Sequence, residues 1–241
     1  MYEALKNLIP ETLIKKNESL IRQLLSLFYI GNRFQCAVCE FKMSKFISLK
    51  KNDKLCPKCG SLARTRRLWQ FIEPKVENVK ILHFSPSKSI KKRLESLKNV
   101  TYITTDYAGE FEAMKRLNIE AIDEPDNQYD IIICYHVLEH IENDLKAMQE
   151  LYRIANSGGT CIIQTPFKAG DIYEDSSLRT EEERLLHFGQ NDHVRIYSAE
   201  GLMHRLSAVG FHTTKQSYKE VIDNRNGFSA DEIIIIAKKP I

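Results

Sequence analysis

The sequence contains no apolar run long enough to cross a lipid bilayer. The stretch 24–30 is apolar, but it is far shorter than the roughly 20 residues of a membrane-spanning helix and carries no small-residue cleavage site. We therefore expect neither a membrane span nor a secretion signal, and we predict a cytoplasmic protein. An excess of one charge sign is also missing, because the net charge is only +3. So small a charge does not favour nucleic acid as a partner.

The composition is typical of globular proteins, since 43% of the 241 residues are hydrophobic and 28% are charged. A chain of this length can bury one α/β core together with a small appendage. The patterns below predict three parts: an N-terminal amphipathic helix region at 1–31, a four-cysteine zinc ribbon at 32–67, and an α/β domain at 68–241.

The N-terminal region has the pattern of an amphipathic helix. Its apolar side chains recur at helical spacing and would form one face. We expect this face to pack on the body of the protein. The alternative is packing on a second copy of the chain, which would make a homodimer. The apolar residues are Leu13, Leu20, Ile21, Leu24, Leu25 and Phe28.

Four cysteines form two Cys-x-x-Cys units, separated by sixteen residues. Two residues between ligands let one tight turn direct both thiolates at a single ion, and Gly60 suits the positive φ of such a turn. Four thiolates close the coordination shell of Zn²⁺, so the ion would be structural rather than catalytic. In a reducing cytoplasm this pattern favours a metal over disulfides. The predicted zinc ligands are Cys36, Cys39, Cys56 and Cys59.

The segment between the cysteine units has room for a short hairpin and is rich in lysine. A solvated loop is the commoner role of such a charge run, and an anionic partner is the alternative. The remaining cysteines, Cys134 and Cys161, lie in apolar strand-like runs and are expected to be buried. The lysines are Lys42, Lys45, Lys50, Lys51 and Lys54.

From residue 79 onward, short β-type runs alternate with helical patterns. This alternation predicts βαβ units and a doubly wound, mainly parallel α/β sheet. The last two strands have no obvious helix between them, so we expect them to pair antiparallel at one edge. The predicted strands are 79–84, 100–105, 129–134, 160–165, 211–217 and 231–237, and the predicted helices are 89–97, 142–155 and 199–209.

Open parallel sheets bind ligands beyond the carboxyl ends of their strands. The first strand is followed by Ser85-Pro86-Ser87 and not by a glycine-rich turn. The second is followed by Asp106, a carboxylate at the position where the hydroxyls of an adenosine ribose are commonly held. An acid at this point could equally cap a turn.

The segment 126–140 reads Asp-Asn-Gln-Tyr-Asp-Ile-Ile-Ile-Cys-Tyr-His-Val-Leu-Glu-His, and a Gly158-Gly159 turn is expected before the next strand. This pattern resembles the core of class I S-adenosylmethionine-dependent methyltransferases of the type-11 group. The segments 56–64 and 188–195 are similar to a bacterial subgroup that joins a zinc knuckle to this domain. Members of that subgroup are often found among surface-polysaccharide functions. The resemblance implies a seven-stranded Rossmann-like sheet.

The resemblance also implies S-adenosylmethionine as the cofactor. Its methionine part would lie against 83–87, its ribose against Asp106 and its adenine against Asn118 and Ile119. In two places the chain departs from the family: the serines of 85–87 replace a glycine-rich loop, and Asn118 replaces an acid. Both substitutes can still hydrogen-bond the cofactor. The predicted set is His83, Phe84, Ser85, Ser87, Asp106, Tyr107, Asn118, Ile119, Tyr135 and His136.

The methyl acceptor is expected near the segment 192–195, because this segment lies in a long connection where a lid over the pocket would be found. His193 would act as a base oriented by Asp192, and Arg195 would hold an anionic acceptor. The alternative is that Asp192 and Arg195 form an ion pair that only fixes the lid.

His136, Glu139 and His140 follow the predicted strand 129–134. On a helical start the two histidines would share one face, which resembles a metal-binding pair. No third ligand follows at the expected spacing, so we expect helix capping and cofactor contact here, with His136 as a further catalytic candidate.

These patterns favour an O-methyltransferase that acts on a small-molecule or glycan acceptor. One alternative is an RNA or protein methyltransferase that grips its substrate with the zinc ribbon, Arg64, Arg66 and Arg67, for which steep salt dependence of binding would be evidence. Another alternative is a non-catalytic binding module that keeps the fold without affinity for the cofactor.

Overall fold

The computed structural model describes residues 11–49, 53–219 and 222–241. By its internal contacts the chain divides into two units. Of the described residues, the first unit contains those within 11–75, 87–93 and 219–230, and the second contains 76–86, 94–218 and 231–241. The three-part division made from the sequence stays a prediction.

The first unit combines helices with two small hairpins. β1 pairs antiparallel with β2, and β3 pairs antiparallel with β4. The second of these pairs lies between the two cysteine units, where the sequence left room for a hairpin. The elements are α1 (Glu11–Leu27), β1 (Ile30–Gln35), β2 (Lys42–Met43), β3 (Ile47–Ser48), β4 (Lys54–Leu55) and α2 (Ala63–Ile72).

The apolar face of α1 is only partly buried. Leu25 is buried, whereas Leu20, Leu24 and Phe28 expose 58%, 57% and 73% of their surface. The expectation that this face packs on the body is therefore wrong for these three side chains. Because apolar surface is stabilised by leaving water, packing on a second copy of the chain stays a prediction. The side chain of Leu13 and the residues Lys50 and Lys51 lie outside the described part.

Two of the arginines proposed to grip RNA are buried. Arg66 is 0% exposed and Arg67 is 3% exposed, whereas Arg64 lies at the surface. A buried guanidinium cannot reach a phosphate backbone, so this part of the RNA-binding alternative is wrong. Arg66 instead donates hydrogen bonds to three main-chain carbonyls, those of Ser61, Asn226 and Gly227.

The second unit is built on a sheet in which we find six strands among the described residues. Its strands are β5 (Val79–Phe84), β6 (Val100–Thr105), β7 (Tyr129–Tyr135), β8 (Ala155–Gln164), β11 (His212–Tyr218) and β12 (Glu232–Lys238). The order across the sheet is β11-β12-β8-β7-β5-β6. β6, β5, β7 and β8 are parallel neighbours, and β12 runs antiparallel to both β8 and β11.

Helices pack against this sheet because its central strands are apolar on both faces. The side chains of 131–134 in β7 are all buried. α4 (Asp144–Ile154) is capped at its N-terminus by Asn143, whose side chain accepts a hydrogen bond from the amide of Lys146, and Ser198 caps α6 (Ala199–Ala208) in the same way. The other elements of this unit are β9 (Tyr173–Glu174), α5 (Glu181–Phe188) and β10 (Arg195–Ile196), whereas α3 (Lys88–Glu95) falls mainly in the first unit.

The doubly wound fold is confirmed, but the expectation of seven strands is wrong. The segment 106–128 forms turns and isolated bridges in place of a third strand, because it is polar and lacks a run of β-forming residues. The antiparallel pair β11 and β12 is confirmed, with β11 at the edge and β12 inside the sheet. Gly158 and Gly159 lie within β8, where the pairing with β7 is irregular, and not in a turn before it.

No helix of the three described ranges is both long and apolar enough to cross a membrane.

Candidate functional site

Asp106 and Ser85 meet at the carboxyl ends of two neighbouring strands. β5 and β6 are parallel and in register, so the residues that follow them lie side by side. The hydroxyl of Ser85 donates to Oδ1 of Asp106 at 2.8 Å, and the amide of Phe111 donates to Oδ2 at 3.2 Å. Ser85 has a φ of 48°, in the left-handed region that glycine adopts without strain. Ser85 therefore takes the conformation of a turn glycine and also positions the acid.

The Asp106 carboxylate keeps acceptor capacity for a ligand. Each of its oxygens accepts one hydrogen bond, from Ser85 or from Phe111, and a carboxylate oxygen can accept two. A ribose diol needs two acceptors of this kind. The hydrogen-bond acceptors at this strand end therefore fit the ribose hydroxyls of S-adenosylmethionine.

The residues predicted for the cofactor differ in exposure. His83, Phe84 and Ile119 are 2%, 4% and 4% exposed, and Asp106 itself is 6% exposed, so each of the four offers little surface to a ligand. His83 lies 3.0 Å from the hydroxyl of Tyr102, and burial lowers the pKa of His83 to about 3, which keeps it neutral. The more accessible members of the set are Tyr107, Asn118, Tyr135 and His136.

Ser87 belongs to the first unit, where its hydroxyl lies 3.5 Å from that of Ser89.

Histidines and acids cluster after β7. Nδ1 of His136 lies 3.1 Å from Oε1 of Glu139, and Nδ1 of His140 lies 3.0 Å from Oδ2 of Asp192. The rings of His140 and His193 are 4.7 Å apart at an angle of 88°. The turn 138–140 is therefore in contact with the segment 192–194, which was predicted to be a lid.

Two members of this cluster are almost fully buried and keep polar atoms without a partner. Glu139 is 1% exposed and His193 is 3% exposed. Among the described residues, Oε2 of Glu139 and Nε2 of His193 have no hydrogen-bond partner. Burial is the largest single influence and raises the pKa of Glu139, but the hydrogen bond from His136, the charge of His136 and smaller contributions together outweigh it, so the net pKa is below the usual value. Burial lowers the pKa of His193. A carboxylate and a neutral imidazole are therefore expected side by side.

Asp192 and Arg195 do not have the partners expected from the sequence. Asp192 lies against His140, so neither an Asp192–His193 pair nor an Asp192–Arg195 ion pair is formed. Arg195 is 5% exposed and its Nε donates to Glu174 at 2.8 Å. It also donates to three main-chain carbonyls, those of Leu138, Ile141 and Glu142. Arg195 therefore fixes the turn after β7, and its donors are not available to an acceptor.

The sequence argument missed the contact of His193 with Glu139 and His140. Its signal was the His-x-x-Glu-His pattern of 136–140, which was set aside because no third ligand follows nearby in sequence. The third group comes from a segment 53 residues after His140, and only the fold brings it close.

The four predicted zinc ligands form a cluster in the first unit. The Sγ atoms of Cys36 and Cys59 lie 3.7 Å apart, as do those of Cys39 and Cys56. A tetrahedral site with Zn–S bonds of about 2.3 Å has an S–S separation of about 3.8 Å. The residue after each unit has positive φ, with 59° at Glu40 and 74° at Gly60. The four-cysteine knuckle is confirmed, and its geometry fits zinc.

A cavity of about 770 Å³ lies beside 194–195. Its lining is mostly charged and contains none of the residues predicted for the cofactor. The charged lining residues are Glu142, Asp144, Glu174, Asp175, Arg179, Arg184, Arg195 and Arg205.

A doubly wound sheet with an acid directly after its second strand is typical of Rossmann-like proteins that bind adenosine-containing cofactors. A family model described as a methyltransferase domain matches residues 62–216, and the chain belongs to this family of S-adenosylmethionine-dependent methyltransferases.

Known proteins agree with this fold. Ajmaline N-methyltransferase of Rauvolfia serpentina is 34% identical over 62 residues, which cover 26% of this chain and only 21% of that relative. The YcgJ protein of Bacillus subtilis superposes with a TM-score of 0.52 at 17% identity, over 72% of this chain and 98% of its own.

A methyltransferase of Archaeoglobus fulgidus has a TM-score of 0.52 at 17% identity, over 73% of this chain and 93% of its own. The cyclase SpnF has a TM-score of 0.54 at 14% identity, over 95% of this chain and 96% of its own. At these identities the structural likeness shows the fold alone.

Proposed function

We propose that the protein transfers the methyl group of S-adenosylmethionine to a hydroxyl oxygen of a small polar acceptor, in particular a sugar of a surface polysaccharide. The observation that supports this best is that Asp106 and the cluster of Glu139 and His193 lie at the carboxyl ends of parallel strands of one sheet. Asp106 follows β6, the Glu139–His193 cluster follows β7, and β5 lies between these strands. A cofactor held at the first group would present its methyl group towards the second.

Methyl transfer is an in-line displacement at a sulfonium, so the chain has to align the acceptor and exclude water. A hydroxyl acceptor must also lose its proton. Nε2 of His193 suits that task, because it is buried and without a partner in the described structure, on a ring whose pKa burial lowers.

Asp106→Ala is expected to weaken S-adenosylmethionine binding at least tenfold. Loss of a charged hydrogen-bond acceptor costs roughly 1.5 to 3 kcal/mol, because the ribose hydroxyls are left unpaired. Titration calorimetry with S-adenosylmethionine measures the change. Asp123→Ala, at an exposed acid of the same unit, is the matched control and should keep wild-type affinity. Unchanged affinity of folded Asp106→Ala would show that the ribose binds elsewhere.

His193→Ala is expected to lower turnover about a hundredfold while cofactor affinity stays the same, because removal of a proton-accepting group affects the transfer step. The assay uses the best acceptor from a methyl-transfer screen of activated sugars and oligosaccharides. His204→Ala, at an exposed histidine of α6, is the control. Parallel loss of affinity and turnover would place His193 in the cofactor pocket or in a lid-fixing role, and no loss of either would make it structural.

The same calorimetry separates the enzyme from a non-catalytic binding module, which would not bind S-adenosylmethionine. An RNA or protein methyltransferase would show acceptor binding that weakens steeply with salt. The burial of Arg66 and Arg67 leaves that alternative with fewer cationic contacts. Cys36, Cys39, Cys56 and Cys59 would hold a structural zinc ion in all three cases.

A further inference from the structure

We propose that Glu139, His140 and His193 bind a divalent transition-metal ion, as a second metal site besides the four cysteines. One donor atom from each of these residues lies within 4.8 Å of those of the other two. Small side-chain rotations would bring three donors at this spacing onto one ion. The site belongs entirely to the second unit.

The donor set has the composition of a metal site that also binds a ligand. Two imidazoles and one carboxylate occur at zinc and non-haem iron centres, where positions remain for water or substrate. The four-cysteine cluster has the opposite composition, four soft thiolates that close the shell of zinc. The two sites would therefore differ in metal preference and in role.

Burial is the second observation in favour of an ion. Buried polar atoms without a partner are rare in proteins and call for an explanation. Here Oε2 of Glu139 and Nε2 of His193 are both of this kind, on side chains that are 1% and 3% exposed. A cation placed between them would satisfy both atoms and would balance the charge of a buried carboxylate.

The neighbours of the cluster have the contacts of an outer coordination shell. A histidine that binds a metal through one nitrogen usually donates its other N–H to a carboxylate, which fixes the ring. Nδ1 of His140 has this contact with Asp192 at 3.0 Å, so His140 would bind through Nε2. His136 holds the other oxygen of Glu139 at 3.1 Å, which directs Oε2 to the ion. Asp192 and His136 are thus positioning residues.

One consequence rests on the proposed function. An ion with open positions binds an acceptor oxygen and lowers the pKa of a coordinated hydroxyl, so it would prepare a sugar hydroxyl for methylation. Coordination uses the same lone pair of His193 that proton transfer would need. The turnover loss expected for His193→Ala follows in both cases, and metal binding distinguishes them.

The test is a titration of the full chain, carrying zinc on its cysteines, with Co²⁺ in the absence of cofactor and acceptor. We expect calorimetry to show one equivalent of bound cobalt. The near-ultraviolet absorption spectrum should lack the thiolate-to-cobalt charge-transfer bands that cobalt on the cysteines would give. Glu139→Gln and His193→Gln should each weaken cobalt binding at least about a hundredfold, and Asp192→Asn about tenfold. The controls Glu182→Gln and His204→Gln, at exposed residues, should bind as the wild type does.

The proposal is overturned if the wild type binds no cobalt beyond exchange at the thiolates, or if folded His193→Gln keeps full affinity. His193→Gln alone decides the matter if Glu139→Gln does not fold by circular dichroism. Because no acceptor is present, absence of cobalt binding leaves methyl transfer untouched. An inactive protein that binds cobalt would contradict the proposed function and support the site.

Discussion

Cys59→Ser is expected to cost the first unit most of its zinc and much of its stability. In zinc-finger peptides a structural zinc contributes roughly 10 to 16 kcal/mol of apparent folding free energy, and a site with three thiolates retains only part of it. Metal analysis of protein purified without added zinc should give about one equivalent per wild-type chain and far less for the variant. Thermal unfolding should show a separate transition of the first unit at lower temperature.

Cys161→Ala is the matched control for metal content, because Cys161 is a fully buried cysteine of β8 outside the cluster. The Cys161→Ala variant should keep a full equivalent of zinc even if it unfolds at a lower temperature than the wild type. The second unit has its own core, so its sheet should persist in Cys59→Ser. A full equivalent of zinc in Cys59→Ser would show that Cys59 is not a ligand.

Arg66→Leu is expected to destabilise the protein by about 3 kcal/mol or more. The guanidinium donates to the carbonyls of Ser61, Asn226 and Gly227 at 2.6 to 2.7 Å, and it lies 4.3 Å from the centre of the Phe46 ring. Leucine fills part of the volume but leaves these carbonyls without a donor, and unsatisfied buried acceptors are costly.

Urea unfolding followed by circular dichroism measures this change. Arg64→Leu, two positions earlier on the exposed side of α2, should change the free energy of unfolding by less than about 0.5 kcal/mol. Equal effects of the two substitutions would mean that the hydrogen bonds of Arg66 do not stabilise the fold.

The strands of the second unit could be predicted because apolar runs between helical patterns are local signals. β5 and β6 have the bounds that the sequence indicated, and β7, β11 and β12 differ from the predicted bounds by one residue. β8 begins five residues earlier than predicted, and the two-residue strands β9 and β10 were not predicted. The seventh strand was an expectation from the family resemblance and not from the residues of 106–128. Those residues are polar, and the chain follows its own composition there.

Residues of the candidate site could be predicted only where a single continuous segment of sequence indicates their position. Asp106 stands out because it directly follows a strand. Its bond to Ser85 could not be predicted, because it depends on the alignment of two strand ends. The predicted partner of Asp192 was wrong for the same reason. Sequence proximity favoured His193, whereas the fold brings the carboxylate to His140.

The position of β12 within the sheet determines the order in which the second unit can be completed. Among the described strands β11 pairs with β12 alone, and β12 follows it in the chain and lies between it and β8. On the ribosome, the parallel strands can assemble first, while β11 must wait until β12 has emerged. A strand that is synthesised before its partner has unpaired backbone groups and is prone to incorrect pairing. The polar, largely exposed side chains of β11 reduce that risk, because they make the waiting strand a poor template for aggregation.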